Sequence, residues 1–476
     1  MPRIAVAGPS KVVTDAAVAI GKDGGSVVDV ALVAALTAMC TEPGICGPGG
    51  GGFITVDVPG HDPVVVDGYM AFPGKGFSGR PNLRKVQMRY GGGVTTLVDA
   101  GSVAVPGAFA ALEMAWQMFG TAPWADLMGV VAGAVESGFP LSAAVHRYLS
   151  AGGASIYRSD PAARSALFDG DRPKPSGSTI VFPGLAPALR HVGEGGADVF
   201  YRGDLAKSIV DGLERRGGQL TLEDMATYRA VARRPKTVLL GRFRLSTTPE
   251  PALGGIMVAG ALEAEGVSDD QVALTNALIG AFQRRWGAGL TSPSTVGVAA
   301  GDEEGGAVAA SFSAGYGSGV IPEGTGMLMN NGVGELELVP PGSEAGSPGE
   351  RIVSNMAPTV ARHEGEAVAI ASPGADRITT AVATTLARLA RGDCLRDAIE
   401  HPRAHPELAD GGVRVATEPG VRLDGLDLAV REFDGPHMFF GGVNGAGMLD
   451  GVLQAHADRR RGGSVAFTGS SRSTHH

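Results

Sequence analysis

Residues 42–58 read Glu42-Pro-Gly-Ile-Cys-Gly-Pro-Gly-Gly-Gly-Gly-Phe-Ile-Thr-Val-Asp-Val58, a glycine-rich loop that leads into a strand pattern over Phe53–Val58. The segment before it, Val27–Cys40, is alanine-rich and apolar on almost every side, which predicts a buried helix. A dinucleotide site needs the order strand, glycines, helix, so that the helix N-terminus meets the pyrophosphate. The order here is helix, glycines, strand. The GxGxxG match within the loop therefore does not indicate a nucleotide site.

The patterns change in character near Thr295. Helix patterns prevail before it, and Ser26 with Asp29 forms a predicted capping box at the start of the buried helix. Short strand patterns follow Thr295, and helix patterns then return. The predicted helices are Val12–Ile20, Val27–Cys40, Pro106–Phe119, Pro123–Ser137, Asp204–Arg216, a short one capped by Thr221 and Asp224, Ile256–Glu263, Gln271–Trp286, Thr379–Leu389 and Leu395–Glu400. The predicted strands are Phe53–Val58, Pro63–Asp67, Arg244–Thr247, Thr295–Ala300, Ala307–Ser313, Gly326–Met329, Thr359–Ala361 and Ala367–Ala371, with a hairpin around residues 363–366 and a loop-rich segment over 68–101. This order predicts stacked sheets covered by helices on both outer faces, with no linker between independent domains.

Composition excludes several classes of protein. The chain has 476 residues, of which 74 are glycine, yet the glycines follow no collagen period and 44% of residues are apolar, which excludes general disorder. A net charge of −9 gives no reason to expect a nucleic-acid or anionic-membrane partner. The N-terminal apolar run is too short for a signal peptide, so a soluble, cytoplasmic protein is expected. The cysteines Cys40, Cys46 and Cys394 are expected to be buried, reduced thiols.

One kind of segment in the chain matches no common catalytic or binding motif. His401 and His405 are four residues apart, but Pro402 lies between them, which favours a surface turn over a metal site. No GxSxG elbow occurs, and we expect neither a metal nor a cofactor. Hydroxyl- and glycine-rich segments remain, at 291–295, 316–319, 354–355 and 372–377. Such segments are usually turns, and their chemistry becomes plausible only together, because a hydroxyl nucleophile needs a base and an oxyanion needs N–H donors.

In chain order, these and other segments resemble the gamma-glutamyltranspeptidase family of N-terminal-nucleophile hydrolases. The matching segments are Gly24–Asp29, Glu42–Phe53, Val105–Gly107, Gly120–Leu127, Gly218–Asp224 with Tyr228 and Arg229, Tyr316–Gly319, Asn330–Asn331, Met356–Thr359, Ser372–Gly374 with Arg377, Pro402–Arg403 and Asp458–Gly463. The resemblance covers most of the chain. It implies a four-layer α/β/β/α sandwich, in agreement with the independent pattern of helices and strands.

The resemblance also implies a threonine nucleophile that opens a small subunit, and register with Thr295-Val296 puts it at Thr291. In the precursor, the Thr291 hydroxyl would attack the carbonyl of Leu290. Hydrolysis of the resulting ester would free an α-amine, whose pKa of about 7.7–8.0 allows it to act as the base for its own hydroxyl. The expected pieces are a large subunit, 1–290, and a small subunit, 291–476, which together form one structural domain.

Other roles are implied position by position. Ser311 matches a residue whose hydroxyl contacts the nucleophile's amine, and Gly374 with Ala375 matches the two oxyanion-hole glycines. The predicted catalytic group is therefore Thr291, Ser311, Gly374 and Ala375. Ser354 and Asn355 match a serine pair that binds the glutamyl carboxylate, and Glu335 matches an aspartate that binds the glutamyl amine. The predicted substrate-binding group is Ser354, Asn355, Glu335, Ser313 and Tyr69.

The departures from the family concern the glutamate head group. The family's arginine for the substrate α-carboxylate should follow Asp67, where this chain has Gly68-Tyr69-Met70. An asparagine for the α-amine is replaced by Ser313, and a glutamine by Gly332. Because neither tyrosine nor methionine replaces a bidentate arginine contact, we expect an acyl donor other than plain γ-glutamyl.

Three alternatives stay open. Ordinary γ-glutamyl transfer or glutathione hydrolysis would require Tyr69, Arg80 or Arg351 to replace the lost arginine. Relatives in antibiotic pathways of the 4-alkylproline type suggest hydrolysis of a carbon–carbon bond next to a keto group. An inactive binding homologue is the last alternative. In the enzyme hypotheses the partners are a small-molecule acyl donor and either water or an amine acceptor.

Overall fold

Two β-sheets lie face to face between two layers of helices in the computed structural model, which describes residues 1–89, 93–266, 270–286, 295–336, 338, 346–409 and 412–469. Within these residues the strands are β1 (Ile4–Gly8), β2 (Gly51–Asp57), β3 (Val64–Gly68), β4 (Arg84–Met88), β5 (Val94–Val98), β6 (Phe139–Pro140), β7 (Phe168–Asp169), β8 (Arg172–Pro173), β9 (Thr179–Ile180), β10 (Val231–Arg233), β11 (Lys236–Leu240), β12 (Phe243–Thr247), β13 (Val296–Asp302), β14 (Ala307–Ser313), β15 (Thr359–His363), β16 (Glu366–Ala371), β17 (Ala404–Ala409), β18 (Gly412–Thr417), β19 (Ala429–Glu432), β20 (Asn444–Leu449), β21 (Val452–Ala457) and β22 (Ser464–Phe467).

The α-helices in the same residues are α1 (Lys11–Lys22), α2 (Val27–Thr41), α3 (Ala108–Phe119), α4 (Trp124–Glu136), α5 (Ala143–Tyr148), α6 (Ala154–Tyr157), α7 (Pro161–Leu167), α8 (Leu185–Gly195), α9 (Asp198–Tyr201), α10 (Asp204–Glu214), α11 (Leu222–Thr227), α12 (Leu253–Glu265), α13 (Gln271–Trp286), α14 (Arg377–Ala390) and α15 (Leu395–Glu400). A π-helical turn, Leu149–Gly153, joins α5 to α6, and short 3-10 helices occupy Ala100–Ser102, Gly332–Gly334 and Met438–Phe440. No described helix is long and apolar enough to cross a lipid bilayer.

The two large sheets are antiparallel throughout. The first has the strand order β10-β3-β2-β14-β13-β1-β22, and the second has the order β11-β12-β15-β16-β20-β21. Alanines dominate the layer between them, including Ala299 and Ala309 of the first sheet and Ala369 and Ala446 of the second. Small side chains let the two backbones approach closely. Strands β13 and β14 of the first sheet therefore pack directly against β16 of the second, and β13 also packs against β20.

A separate apolar core lies on the outer face of each sheet. Helix α2 is buried along its whole length between the first sheet and other helices, as its all-round apolar sequence predicts. It begins at the predicted capping box, in which the Ser26 hydroxyl accepts from the Asp29 N–H and the Asp29 carboxylate accepts from the Ser26 N–H at 2.8 Å. Helices α12 and α14 share the apolar core on the second sheet, and α13 packs on α12 and on β17 of the three-stranded sheet. The predicted four-layer α/β/β/α sandwich is confirmed.

Several local predictions are wrong. The segment 68–101, expected to be loop-rich, contains the β4–β5 hairpin. Residues 326–329 form no strand, and Met329 makes only an isolated bridge to Gly49. Cys394 is exposed, whereas Cys40 and Cys46 are buried as expected. His405 does not lie on a surface turn, because it is buried in β17, where its Nδ1 contacts the Thr380 hydroxyl at 2.9 Å.

Candidate active site

The predicted positioning serine lies in the middle of the first sheet. Ser311 in β14 pairs with Gly297 of β13 on one side and with Phe53 of β2 on the other. Its side chain is fully buried, and its Oγ has no hydrogen-bond partner in the described part of the chain. Because an unpaired buried hydroxyl costs free energy, the Ser311 hydroxyl would gain from a partner outside the described residues, as the predicted contact with the amine of the nucleophile requires.

The predicted oxyanion loop begins where β16 ends. Gly374 has φ +135° and Ala375 has φ +64°, so both lie in the left-handed region before α14 begins at Arg377. Among the described residues, neither the Gly374 nor the Ala375 N–H has a hydrogen-bond acceptor. Two adjacent unbonded N–H groups at the start of a helix can hold a developing negative charge.

The backbone of β13 connects the oxyanion loop to Ser311. A Cβ added to Gly297 would lie 3.1 Å from the carbonyl carbon of Ala371 and from the backbone nitrogen of Ser372. Gly297 is also the strand partner of Ser311. The absence of a side chain at Gly297 therefore lets the β13–β14 pair approach the residues that lead into the oxyanion loop.

Three predicted substrate-binding residues lie together. The Tyr69 ring is buried and stacks on Phe53 with ring centroids 5.6 Å apart, and the Ser354 side chain lies near its hydroxyl. Burial first, and then the negative charge of Glu335, raises the pKa of the Tyr69 hydroxyl well above its usual value. Since Phe53 pairs with Ser311, the stacked tyrosine links this cluster to the centre of the sheet.

The remaining predicted binding residues surround that cluster. Gly315 has φ +67°, its N–H donates to the Ser313 hydroxyl at 2.9 Å, and a Cβ on it would lie 2.7 Å from Glu335 Oε1. Asn355 is buried next to Ser354, and a Cβ on Gly254 would lie 1.9 Å from the Asn355 carbonyl oxygen. Both glycines thus keep side chains out of spaces that the neighbouring polar residues need.

Two arginines could replace the lost one, and of these Arg351 is bound to other groups whereas Arg80 is exposed. The Asp67 carboxylate pairs with Arg233 at 2.8 Å and with Arg351 at 3.4 Å. Arg351 also stacks over the Tyr228 ring at 4.3 Å and donates to the carbonyl of Arg229 at 2.5 Å. Arg80 is exposed. The geometry gives Arg351 a structural role beside Asp67.

A cavity of about 570 Å³ includes Arg377, two residues after Ala375. We call it the arginine cavity, and its lining residues are Arg89, His146, Arg147, Ser150, Ala151, Arg377, Arg431, Phe433, His437, Met438, Phe439 and Arg461. These residues are far apart in sequence, so no local motif indicated the site. The family resemblance includes Arg377, and the aromatic cluster at residues 433–440 is a further sequence signal that none of the motifs includes.

The predicted nucleophile Thr291 and the cleavage-site residue Leu290 lie outside the described residues. Helix α13 precedes them, and Thr295, which is buried, is the first described residue after them. In the described residues, no group of three histidine, cysteine or acidic side chains is placed to hold a metal ion.

The fold has a close counterpart among solved structures. A structure titled "Crystal structure of cephalosporin acylase from Bacillus halodurans" matches with a TM-score of 0.78 over 99% of this chain and 96% of that chain, at 21% identity. The sandwich and this likeness define the fold as that of the N-terminal-nucleophile hydrolases.

The family follows from the sequence. The family model described as Gamma-glutamyltranspeptidase matches residues 13–279 and 264–468, and the chain belongs to this family. The "Glutathione hydrolase proenzyme" of Escherichia coli (strain K12) is 24% identical over 89% of this chain and 84% of its own length. The "Acylase ACY 1 proenzyme" of Pseudomonas sp. (strain V22) is 26% identical over 82% of this chain and 79% of its own length. The chain is an enzyme of this hydrolase and acyltransferase kind.

Proposed function

We propose that the enzyme is a self-processing N-terminal-threonine acylase whose donor lacks the α-carboxylate of a γ-glutamyl group. Thr291 is the nucleophile, freed by cleavage of the Leu290–Thr291 bond. Thr291 is four residues before Thr295, and four residues of chain reach at most about 14 Å. Thr295 immediately precedes β13, whose second residue, Gly297, is the strand partner of Ser311. Chain connectivity therefore supports a nucleophile near Ser311 and the oxyanion loop.

The proposed reaction has two stages, acylation of Thr291 and hydrolysis of the acyl-threonine ester. The Thr291 Oγ bonds to the acyl carbon as its proton passes to the α-amine, which Ser311 orients. The carbonyl oxygen becomes an oxyanion that accepts from the N–H groups of Gly374 and Ala375. The carbon–nitrogen bond then breaks, and the leaving amine takes the proton from the α-ammonium. Water attacks the acyl-threonine ester by the same route, which releases the acid and restores the Thr291 hydroxyl.

One observation carries the choice of donor. Where the family has an arginine for the α-carboxylate, this chain has the buried Tyr69, whose hydroxyl lies near the Ser354 side chain, while Arg351 is bound to Asp67. Glu335 still supplies a negative charge near Tyr69, which suits an amine on the donor. The acylase name of the Pseudomonas relative supports a donor outside the γ-glutamyl class.

A pair of substrates tests this proposal. The p-nitroanilides of γ-glutamate and of 4-aminobutyrate differ only in the α-carboxylate. We expect kcat/KM for the 4-aminobutyryl compound to equal or exceed that for the γ-glutamyl compound, because Arg351, which could replace the lost arginine, is already bound to Asp67. A preference for the γ-glutamyl compound of about a hundredfold would instead establish ordinary γ-glutamyl chemistry.

A further inference from the structure

The arginine cavity is strongly positive in a chain whose net charge is −9. Arg431 pairs with Glu407 at 3.2 Å, and Arg377 pairs with Asp376. Arg89 and Arg147 are exposed and have no carboxylate within 4.0 Å in the described part of the chain. The cavity therefore holds more cationic than anionic groups before any ligand enters.

The flat walls of the cavity hold two of the guanidinium groups in place. Phe433 and Phe439 are stacked with ring centroids 5.2 Å apart. Arg431 lies over both rings, at 4.6 and 5.2 Å from their centroids, and Arg377 lies over Phe439 at 4.8 Å. Stacking covers the face of each guanidinium, and bonds at part of its N–H edge, from Arg377 Nε to the Phe439 carbonyl at 3.2 Å and from Arg431 to Glu407, orient it in advance. Only the remaining part of each edge is left for a carboxylate of a ligand.

A histidine, His437, lies in the same wall of the cavity, and the nearby positive charges affect its pKa. His437 Nδ1 accepts from the Phe439 N–H at 3.0 Å, so in the neutral ring Nε2 carries the proton. Burial first, followed by the charges of Arg431 and Arg147, lowers the pKa of His437. The cavity thus combines cationic groups, aromatic faces and a neutral ring N–H donor.

We propose that the arginine cavity is the leaving-group subsite of the enzyme and binds an amine that carries two carboxylates on a flat, apolar body. The location rests on Arg377, which follows the oxyanion loop by two residues and lines the cavity. The chemical class rests on several guanidinium groups around stacked phenylalanines, a combination that suits planar carboxylates. The leaving-group assignment rests on the proposed acylase function, whereas the recognition of carboxylates does not.

Two measurements separate these parts. Calorimetry with isophthalate, and with uncharged isophthalamide as its isostere, measures binding without any catalysis. Kinetics then compare two 4-aminobutyryl amides, one of 5-aminoisophthalate and one of aniline. The variants are Arg147→Gln and Arg431→Gln, and the matched control is Arg396→Gln, an exposed arginine outside the cavity.

We expect the native enzyme to bind isophthalate but not isophthalamide. Its kcat/KM for the 4-aminobutyryl amide of 5-aminoisophthalate should exceed that for the 4-aminobutyryl anilide by about tenfold or more. Each cavity variant should weaken isophthalate binding and reduce that preference by about tenfold, while Arg396→Gln changes neither. Equal binding by all four proteins, or no binding, would overturn the proposal. Isophthalate binding without hydrolysis of either amide would remove the acylase function and the leaving-group assignment together, and would leave only a carboxylate site.

Discussion

Ser311 has a buried hydroxyl without a hydrogen-bond partner among the described residues. Replacing it with alanine removes an unpaired polar group, so we expect the free energy of unfolding of Ser311→Ala to stay within about 0.5 kcal/mol of the native value. Because the proposed role of the hydroxyl is to orient the Thr291 amine, kcat should fall by about a hundredfold with little change in KM. Steady-state kinetics and thermal unfolding measure both effects.

Ser246 provides the matched control. It lies in a strand of the second sheet, β12, and its hydroxyl is likewise buried and unpartnered in the described structure. Ser246→Ala should be as stable as Ser311→Ala and fully active. If both variants kept native turnover, the positioning role of Ser311 would be excluded.

Glu42, just after α2, gives the fold a pH dependence. Burial raises the pKa of Glu42 from 4.5 to about 7, although the Ser142 hydroxyl, which donates to its carboxylate at 2.6 Å, opposes part of that shift. A raised carboxyl pKa in the folded state means that stability is full below pH 4.5 and is lost as the pH rises through 7.

Glu42→Gln should therefore stabilise the protein at pH 8 relative to native, on the order of 3 kcal/mol at most, with little effect at pH 4.5. Denaturant unfolding at the two pH values measures this difference. Glu214→Gln changes an exposed glutamate, so the difference in its free energy of unfolding from the native protein should be the same at both pH values. If the free energy of unfolding of Glu42→Gln changed with pH as it does in the native protein, Glu42 could not be the group responsible for this pH dependence.

At the scale of elements, the proposed function of the loop between β16 and α14 depends on its backbone N–H groups and not on its side chains. Ala375→Gly keeps the N–H and suits a φ of +64°, so activity and stability should both stay near native, the latter within about 1 kcal/mol. Ala375→Pro removes the N–H and cannot adopt a positive φ, so kcat should fall by about a hundredfold or more. Circular dichroism checks that the proline variant is folded, and native-like turnover in a folded Ala375→Pro would exclude this N–H from the oxyanion hole.

Elements with strong local signals were predictable from the sequence. Helix α2 combines a capping box with an unbroken apolar sequence, and α13 and β14 have the predicted bounds. The β4–β5 hairpin was missed because Arg84–Met88 is half polar and lies among turn residues. Residues 326–329 have a strand-like sequence but pair only through Met329, because tertiary contacts decide whether a short apolar segment joins a sheet.

The candidate site was predictable only in part. Family resemblance named Tyr69, Ser354 and Glu335, and the structure brings these three together. The arginine cavity could not be predicted, because Arg147 and Arg431 are nearly 300 residues apart and only the fold unites them. Sequence patterns report local periodicity, whereas a cavity is a property of long-range packing.

On the scale of the whole molecule, both large sheets contain strands from either side of residue 290. In the first sheet, β1 lies between β13 and β22, and in the second, β12 pairs with β15. Each proposed subunit, 1–290 or 291–476, would lack strand partners without the other.

We therefore expect the cleaved pieces to co-elute as one particle in native size-exclusion chromatography and to separate only in denaturant. Residues 1–290 expressed alone should give no cooperative thermal transition, because β1 and β12 would lack their partners. A cooperatively folded, monomeric 1–290 fragment would contradict the shared-sheet account.

The most direct test of the central proposal is intact-mass spectrometry of the purified enzyme, with and without the 4-aminobutyryl anilide. The 48.3 kDa chain should be replaced by pieces of about 29 and 19 kDa, in proportion to their lengths, and the smaller should begin at Thr291. Added donor should place one acyl group on the smaller piece, and Thr291→Ala should remain whole. An active enzyme that stays a single chain, or an acyl group on any residue other than Thr291, would contradict the proposed nucleophile.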